Sequence, residues 1–422
     1  MRSPMSRGGR CLAMIAALAL SGGATAQLLP SVSQGVGGVT AGIGRIGETL
    51  DDSLDKLGGT IERLARERLG RIEAMIRRHP EAIERDARGD AAVKGELILI
   101  DPAPDALKAA TSAGFLIEEQ GALDGLGIAT ARLRTPAGMS LAKAERLLQR
   151  LAPSTTVQSN PIYQPSGATK AVSQTPAPAP KPGPGAAIGL IDGGVASHPA
   201  LPATIVQRGF AAGAPAPGDH GTAIASILVG RGAVRGVSPR SRLFAADVYG
   251  DDPRGGNALA LARALGWMAQ SGVAVVNISL TGPDNPLLAR AISAASRQGL
   301  LLVAAVGNDG AAAPPAFPAS YPQVIAVTGV DARRRPLIEA GKARHLDFAA
   351  PGADLVGATA HGGTARLRGT SYAAPFVTAR IARLAADGPL PRAQVVALLA
   401  AEASPAGARA GRGIICGACA TR

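Results

Sequence analysis

Residues 187–194 read Ala-Ile-Gly-Leu-Ile-Asp-Gly-Gly, an apolar run that ends in a carboxylate and two glycines. Four further largely apolar runs follow it, at Leu243–Val248, Val273–Leu280, Leu300–Val306 and Val324–Val327. None alternates strictly between apolar and polar residues, which is typical of parallel strands that are buried on both faces. Helical stretches lie between or after these runs, near residues 221–229, 257–270, 285–298, 371–386 and 391–402. The pattern predicts a doubly wound, mostly parallel α/β sheet, whose ligands bind beyond the carboxyl ends of its strands.

Three polar residues fall at those strand ends or at the helix starts beside them. Asp192 closes the first run, His220 opens the helix in Gly218-Asp-His-Gly-Thr-Ala-Ile-Ala-Ser226, and Ser371 opens another in Gly369-Thr-Ser-Tyr-Ala-Ala-Pro375. Taken singly, they can be a turn residue, a helix-start residue and an N-cap. Taken together, they supply a hydroxyl nucleophile, an imidazole that accepts its proton, and a carboxylate that fixes the imidazole tautomer. The combination predicts nucleophilic catalysis by Ser371.

Residues 186–415 resemble the catalytic domain of the subtilisin-like serine proteases, the subtilase family, in which Asp, His and Ser also occur in this order. The motif at residues 369–375 is among the most specific of the matches. The resemblance implies that Asn308, within Leu301–Gly310, supplies the side chain of the oxyanion hole. It also implies a strand that pairs with the substrate backbone. The implied substrate-binding residues are Ser279, Leu280, Thr281, Gly282, Ala305, Val306 and Gly307.

The chain departs from the family pattern at several positions. Gly193 follows Asp192 where Thr or Ser is usual, which loosens hydrogen bonding around the carboxylate. Val306 replaces the usual Ala, which narrows the primary specificity pocket. The early family elements and their calcium loop are missing. Asp251-Asp252 can bind calcium or form a solvated loop, and we favour the loop, so no cofactor or metal site is predicted. His198, His345 and His361 are interpreted as loop residues without a metal.

The N-terminal part reads as an export signal followed by a helical extension. Arg2, Arg7 and Arg10 precede the apolar run Cys11–Leu20, and small residues follow at Ala24 and Ala26. This order predicts a signal peptide over residues 1–26 and export to the periplasm or the extracellular space. Residues 27–94 form the extension, in which apolar residues recur mostly every three to four positions, as in an amphipathic helix. Acidic residues share its polar face, which favours packing on a neighbouring domain over a membrane surface.

Residues 95–166 show the order of a small ferredoxin-like α+β domain. Four strands and two helices are predicted, at Glu96–Ile100, Asp105–Ser112, Phe115–Glu118, Ile128–Leu133, Leu141–Leu151 and Thr155–Gln158. This is the βαββαβ plan. Subtilases commonly carry a propeptide of this plan, so the resemblance implies an intramolecular inhibitor that is cleaved near Asn160–Gln164. Residues 167–185 are Pro-rich and predict an extended linker.

Composition excludes several classes of protein. The 422 residues suggest two or three domains, and the longest apolar run of ten residues is too short for a membrane span in the mature protein. Three Cys residues exclude a disulfide-rich miniprotein and a Cys-based zinc domain. In the tail, residues 416–422, a small disulfide between Cys416 and Cys419 is favoured over a redox or metal role.

The net charge of +13 comes largely from scattered arginines. No nucleic acid partner is predicted, although nonspecific polyanion binding stays open. The sequence therefore predicts an exported, monomeric serine endopeptidase that acts on polypeptides and is made as a self-processed zymogen. The alternative is a catalytically inert, subtilase-like binding or chaperone module.

Overall fold

The computed structural model describes residues 59–165 apart from residue 61, residues 167–172 and residues 186–415. The predicted signal peptide, most of the linker, and Cys416 and Cys419 lie outside the described residues. The first element within them is helix α1, residues 62–78. No described helix is both long enough and apolar enough to cross a bilayer.

An antiparallel sheet with two helices follows α1. Its elements are β1 (Ile83–Arg85), β2 (Ala91–Ile100), α2 (Pro104–Ser112), β3 (Leu116–Leu123), β4 (Ile128–Arg134), α3 (Leu141–Leu151) and β5 (Thr156–Pro161). β5, β2, β4 and β3 lie side by side in that order, and β1 pairs with β2. The βαββαβ order agrees with the predicted plan. The sheet starts earlier than predicted, because β1 and the first residues of β2 fall within residues 27–94.

Two short strands lead from this sheet toward the C-terminal half of the chain. They are β6 (Gln164–Pro165) and β7 (Ala168–Val172). The prediction of a linker over residues 167–185 is therefore wrong for residues 168–172. This segment becomes a strand because it pairs with a distant part of the chain.

The C-terminal half is built on a seven-stranded parallel sheet. Its strands are β8 (Ile188–Asp192), β9 (Val206–Gly209), β10 (Leu243–Asp247), β11 (Val275–Ile278), β13 (Leu301–Ala305), β14 (Val324–Val330) and β15 (Phe348–Pro351). They lie in the order β15-β14-β13-β11-β8-β10-β9. Three short strands stand apart from this sheet: β12 (Leu280–Thr281), β16 (Leu355–Ala358) and β17 (Thr364–Arg368).

Helices cover both faces of the parallel sheet, as in a doubly wound fold. They are α4 (Asp219–Val229), α5 (Ala258–Gln270), α6 (Pro286–Arg297), α7 (Ala374–Leu384) and α8 (Arg392–Glu402). Side chains of α5 and α6, such as Leu265 and Leu288, form one apolar core with the sheet. Side chains of α4 and α7, such as Ile227 and Phe376, form the other. The central strands β13 and β14 are almost entirely apolar because both of their faces are buried.

The predicted helix over residues 371–386 is wrong at its start. Residues Thr370–Tyr372 form a 3₁₀ turn, and the α-helix begins at Ala374. Pro375 explains the break, because it lacks the N–H that would bond back to the carbonyl oxygen of Ser371 and extend the α-helix over the preceding turn. Ser371 therefore lies in the turn that precedes α7.

Candidate active site

Asp192 and His220 meet at the carboxyl edge of the parallel sheet. Asp192 is the last residue of β8, and His220 lies in the first turn of α4. The imidazole Nδ1 lies 2.8 Å and 3.0 Å from the two carboxylate oxygens of Asp192. The carboxylate is fully buried and also accepts the backbone N–H of Gly193 at 2.8 Å. The structure thus brings two of the predicted residues into direct contact.

Gly221 explains why α4 can approach β8 so closely. A Cβ atom at Gly221 would overlap the carbonyl oxygen of Gly193, directly after the strand. The absence of a side chain lets the helix start come close enough for His220 to reach Asp192.

Ser371 lies at the same edge and is held by a network of buried polar side chains. Its Oγ donates to the carbonyl oxygen of Ser279 at 3.2 Å, and Ser279 Oγ donates to the Ser371 carbonyl oxygen at 2.9 Å. Asn277 and Thr378 extend the network, since Asn277 Nδ2 donates to Ser279 Oγ and Thr378 Oγ1 donates to Asn277 Oδ1. The sequence did not lead us to predict that Asn277 and Thr378 belong to the hydrogen-bond network that holds Ser371. The available signal was a polar Asn inside an otherwise apolar strand.

The second nitrogen of His220 lies on the side of the imidazole ring away from Asp192. His220 Nε2 is buried and has no hydrogen-bond partner within the described part of the chain. The Tyr372 ring lies beside the imidazole, with ring centroids 5.5 Å apart. The imidazole is therefore oriented by Asp192 on one side and available for proton transfer on the other.

Asn308 presents an unpaired donor beside the turn that holds Ser371. Its Oδ1 accepts the backbone N–H of Thr370 at 3.0 Å, which fixes the orientation of the carboxamide. Its Nδ2 is buried and has no partner among the described residues. The neighbouring Gly307 adopts φ of +86°, a conformation that favours glycine. A buried unpaired amide of this kind is placed to receive a negatively charged oxygen.

The remaining predicted substrate-binding residues line a cleft that the chain itself fills. Leu280 and Thr281 form β12, which pairs antiparallel with β6, so that Leu280 lies opposite Pro165 and Thr281 lies opposite Gln164. Gly307 lies against the Thr281 side chain. Ala305 and Val306 are buried at the end of β13. β12, the strand predicted to pair with substrate, thus pairs with another segment of this chain, Gln164–Pro165.

Tyr163 fills a deep pocket at one end of this segment. Its side chain is fully buried, its hydroxyl donates to the Pro283 carbonyl oxygen at 2.7 Å, and its carbonyl oxygen accepts from Tyr249 Oη at 2.8 Å. A Cβ atom at Gly282 would overlap the Tyr163 ring. Burial raises the pKa of the Tyr163 hydroxyl, so it stays a donor across the neutral range.

Gly167, the next described residue after Pro165, lies beside the turn that holds Ser371. A Cβ atom at Gly167 would lie 2.6 Å from the Tyr372 ring, next to Ser371 in the chain. From Ala168 onward, β7 pairs antiparallel with β17, with Ala168 opposite Arg368. Residues 164–165 therefore pair with β12, and residues 168–172 pair with the strand that leads into the turn that holds Ser371.

The N-terminal α+β unit also touches the helices that flank the cleft. Asn160 Oδ1 accepts the backbone N–H of Leu259 in the first turn of α5 at 3.0 Å. Gln158 Oε1 accepts the backbone N–H of Leu287 in the first turn of α6 at 3.4 Å. Glu119 forms an ion pair with Arg263 on α5. Two helix starts of the C-terminal half thus receive acceptors from the N-terminal unit.

Helix α1 contacts the loop that carries Asn308. Arg68 Nε lies 3.4 Å from Asp309 Oδ2, and Arg71 forms a second ion pair with Asp309. Leu64 packs against Gly310, since a Cβ atom at Gly310 would lie 3.1 Å from Leu64 Cδ1. Within the described part of the predicted extension, helix α1 thus packs against residues 309–310.

The other predicted polar residues take structural positions. Asp252 forms an ion pair with Arg254, with 2.6 Å between the closest atoms. His345 lies in a loop, bonds to the Val324 carbonyl oxygen at 3.0 Å, and has its pKa raised by the hydrogen bond to Asp347. His198 bonds to the Gly363 carbonyl oxygen at 2.8 Å. Within the described ranges, no group of three or more His, Cys, Asp or Glu side chains could hold a metal ion.

Comparison with known proteins adds independent information about the C-terminal half. A family model described as the subtilase family, Peptidase_S8, matches residues 183–414. Subtilisin BL of Lederbergia lenta is 34% identical over 212 residues, which cover 48% of this chain and 77% of that protein. The solved protease domain of PatA, a mutant form, is 29% identical with a TM-score of 0.50 and covers 56% of this chain and 94% of its own. Fervidolysin from Fervidobacterium pennivorans has a similar fold at 17% identity, with a TM-score of 0.63 over 77% of this chain and 60% of its own.

Proposed function

This chain belongs to the subtilase family of serine endopeptidases, and from that membership we propose that Asp192, His220 and Ser371 are its catalytic triad. The observation that carries the proposal is the contact of His220 Nδ1 with the buried Asp192 carboxylate, with Nε2 left available near Ser371. A comparison of casein hydrolysis by the wild type and by Ser371→Ala tests it.

The proposed reaction uses each of these groups in turn. Ser371 Oγ turns from the Ser279 carbonyl oxygen toward His220 Nε2, gives up its proton to that nitrogen and attacks the scissile carbonyl carbon. The imidazolium then donates the proton to the leaving amine, and Asp192 stabilises its charge while it exists. Water hydrolyses the resulting acyl-enzyme by the same steps, which restores Ser371.

Asn308 is proposed to stabilise the oxyanion of the tetrahedral intermediate. We expect Asn308→Leu to lower kcat about 10²–10³-fold with little change in KM, because its free amide donates only when negative charge develops. Steady-state kinetics on a chromogenic peptide measure this. Ser271→Ala, which removes the hydroxyl bond to the Trp267 carbonyl oxygen at the C-terminal end of α5, serves as the control and should keep kcat within about threefold. An unchanged kcat in Asn308→Leu would exclude this role.

The same site is proposed to process its own N-terminal region. Residues 163–165 occupy the cleft as an extended strand beside β12, which is how a peptide adds to a sheet edge. Gly167 lies against Tyr372, the neighbour of Ser371. Counting along the chain between these two contacts, the proposed scissile bond is the one that precedes Gly167. Until it is cut, the chain fills its own cleft and excludes other substrates.

Helix α1 supports this inhibited state. The ion pairs of Arg68 and Arg71 with Asp309 hold the N-terminal region next to Asn308. These pairs lie partly exposed, so their attraction weakens with salt. The N-terminal region is therefore proposed to act as an inhibitor both through the cleft segment and through this contact.

We expect secreted wild-type protein to begin at Gly167, as determined by N-terminal sequencing and intact mass. Tyr163→Ala should slow the appearance of this product roughly tenfold or more, because it empties a fully buried aromatic pocket. Tyr163→Phe, which loses only the bond to Pro283, should process at an intermediate rate. Active enzyme that begins at Gln27, or equal processing of all three proteins, would contradict the proposed cleavage region.

We also propose that the protein is exported and that it is made as an inactive zymogen. The signal-like residues 1–26 support export to the periplasm or beyond. The alternative of an inert binding or chaperone module stays open to the Ser371→Ala comparison, and nonspecific polyanion binding would show as steep salt dependence.

A further inference from the structure

Strand β17 pairs with a longer stretch of the chain's own backbone than β12 does. Five residues of β7 pair with five residues of β17, from Ala168 opposite Arg368 to Val172 opposite Thr364. By contrast, only two residue pairs join β6 to β12. The longer backbone ladder in the cleft therefore lies after the proposed scissile bond.

β17 is a rigid edge for such pairing. It is paired with β16 on its other side, and its inward side chains, Ala365 and Leu367, are buried. Once β7 leaves, the N–H and C=O groups along this edge are free to pair with another extended segment.

The two arginines of β17 differ in whether an acidic side chain already binds them. Arg366 and Arg368 are both exposed on this strand. Arg368 is bound by Glu339, with 2.7 Å between the closest atoms, whereas Arg366 forms no ion pair within the part of the chain that the structure describes. The register places Lys170 opposite Arg366. Like charges directly opposite each other destabilise a strand pair, and opposite charges stabilise it.

We propose that β17 is an extended binding site for the part of a polypeptide that follows the scissile bond, and that Arg366 selects an acidic residue at the fourth position after that bond. The proposal rests on the proposed function, since Lys170 is the fourth residue if cleavage precedes Gly167. The preferred substrates are then extended polypeptides with Glu or Asp at that position.

The test uses the processed enzyme and quenched fluorescent peptides with the sequence of residues 161–172. Peptides with Glu, Gln or Lys at the place of Lys170 should differ in kcat/KM in that order, by roughly three- to tenfold from Glu to Lys. A peptide that ends after Ala168 should be cleaved roughly tenfold more slowly than the Gln peptide, because it loses most of the ladder. The Glu preference should weaken in high salt.

Arg366→Glu should invert the order so that the Lys peptide becomes the best. A substrate with residues 161–166 joined to a chromogenic leaving group does not reach β17, so both enzymes should cleave it equally and this shows that the variant is folded. Equal rates for the three peptides, or an order that Arg366→Glu leaves unchanged, would overturn the proposal while the protease function stands. Failure to cleave any peptide, with the wild type matching Ser371→Ala, would instead overturn the proposed function.

Discussion

Ser371→Ala is expected to accumulate as the unprocessed precursor and to lose casein hydrolysis by at least about 10⁴-fold. The change removes the only proposed nucleophile and leaves the rest of the site in place. Its cost to the fold should be small, because the Ser371 Oγ bond to Ser279 at 3.2 Å is a long one. Precursor and product are measured by gel and intact mass, and hydrolysis by the release of labelled casein fragments.

Ser241→Ala provides the matched control. Ser241 is a buried serine that bonds to Ser238 at 2.8 Å and precedes β10, at the opposite edge of the sheet from Ser371. It should be processed and should hydrolyse casein like the wild type. If Ser371→Ala matched the wild type in both assays, the inert binding or chaperone module would become the better interpretation. If only its casein hydrolysis were lost, a host protease would be responsible for processing.

The central strands and the site residues could be predicted because their signals are local. A strand buried on both faces is apolar throughout, so β8 and β13 stand out in the sequence. Parallel strands then place Asp192 and Asn308 at one edge without further information. The same logic placed His220 there, because it lies at a helix start that follows a predicted strand, whereas Ser371 lies in a turn after β17 and was identified by its motif.

The edge strands could not be predicted in this way. β9, Val206–Gly209, is only partly buried and contains Gln207 and Arg208, so no apolar run marks it. It is a strand because β10 offers an unpaired edge. β17 is similar, since Arg366 and Arg368 interrupt its apolar residues.

The self-occupied cleft depends on contacts that are distant in sequence. Nothing in Gln164–Pro165 or in residues 168–172 distinguishes them locally from the Pro-rich segment that follows. They become strands because β12 and β17, more than 100 residues later, pair with them. The ion pairs of α1 with Asp309 join residues even farther apart. The sequence pattern therefore does not mark β6 and β7, and only their pairing with distant strands makes them strands.

Asp192→Asn is expected to lower kcat by about 10⁴-fold while leaving the geometry of the site nearly unchanged. The carboxylate accepts a hydrogen bond from the protonated Nδ1 of His220. Nε2 therefore stays unprotonated and can take the proton of Ser371. An amide at this position can donate to Nδ1 and so favours the tautomer with its proton on Nε2. That imidazole cannot act as the base, although substrate still binds, so KM should change little. Steady-state kinetics, with the folded fraction measured by circular dichroism, give both parameters.

Asp247→Asn is the control that separates this effect from the loss of a buried charge. Asp247 lies opposite Asp192 in the register of β8 and β10 and is also fully buried. Among the described residues, its carboxylate accepts backbone N–H groups alone, from Ala216, Tyr249 and Gly250. Asp247→Asn should therefore lower the melting temperature and leave kcat of the folded enzyme within about tenfold. Similar losses of kcat in both variants would mean that a buried carboxylate at this edge supports the fold, and that Asp192 does not act by holding the His220 tautomer.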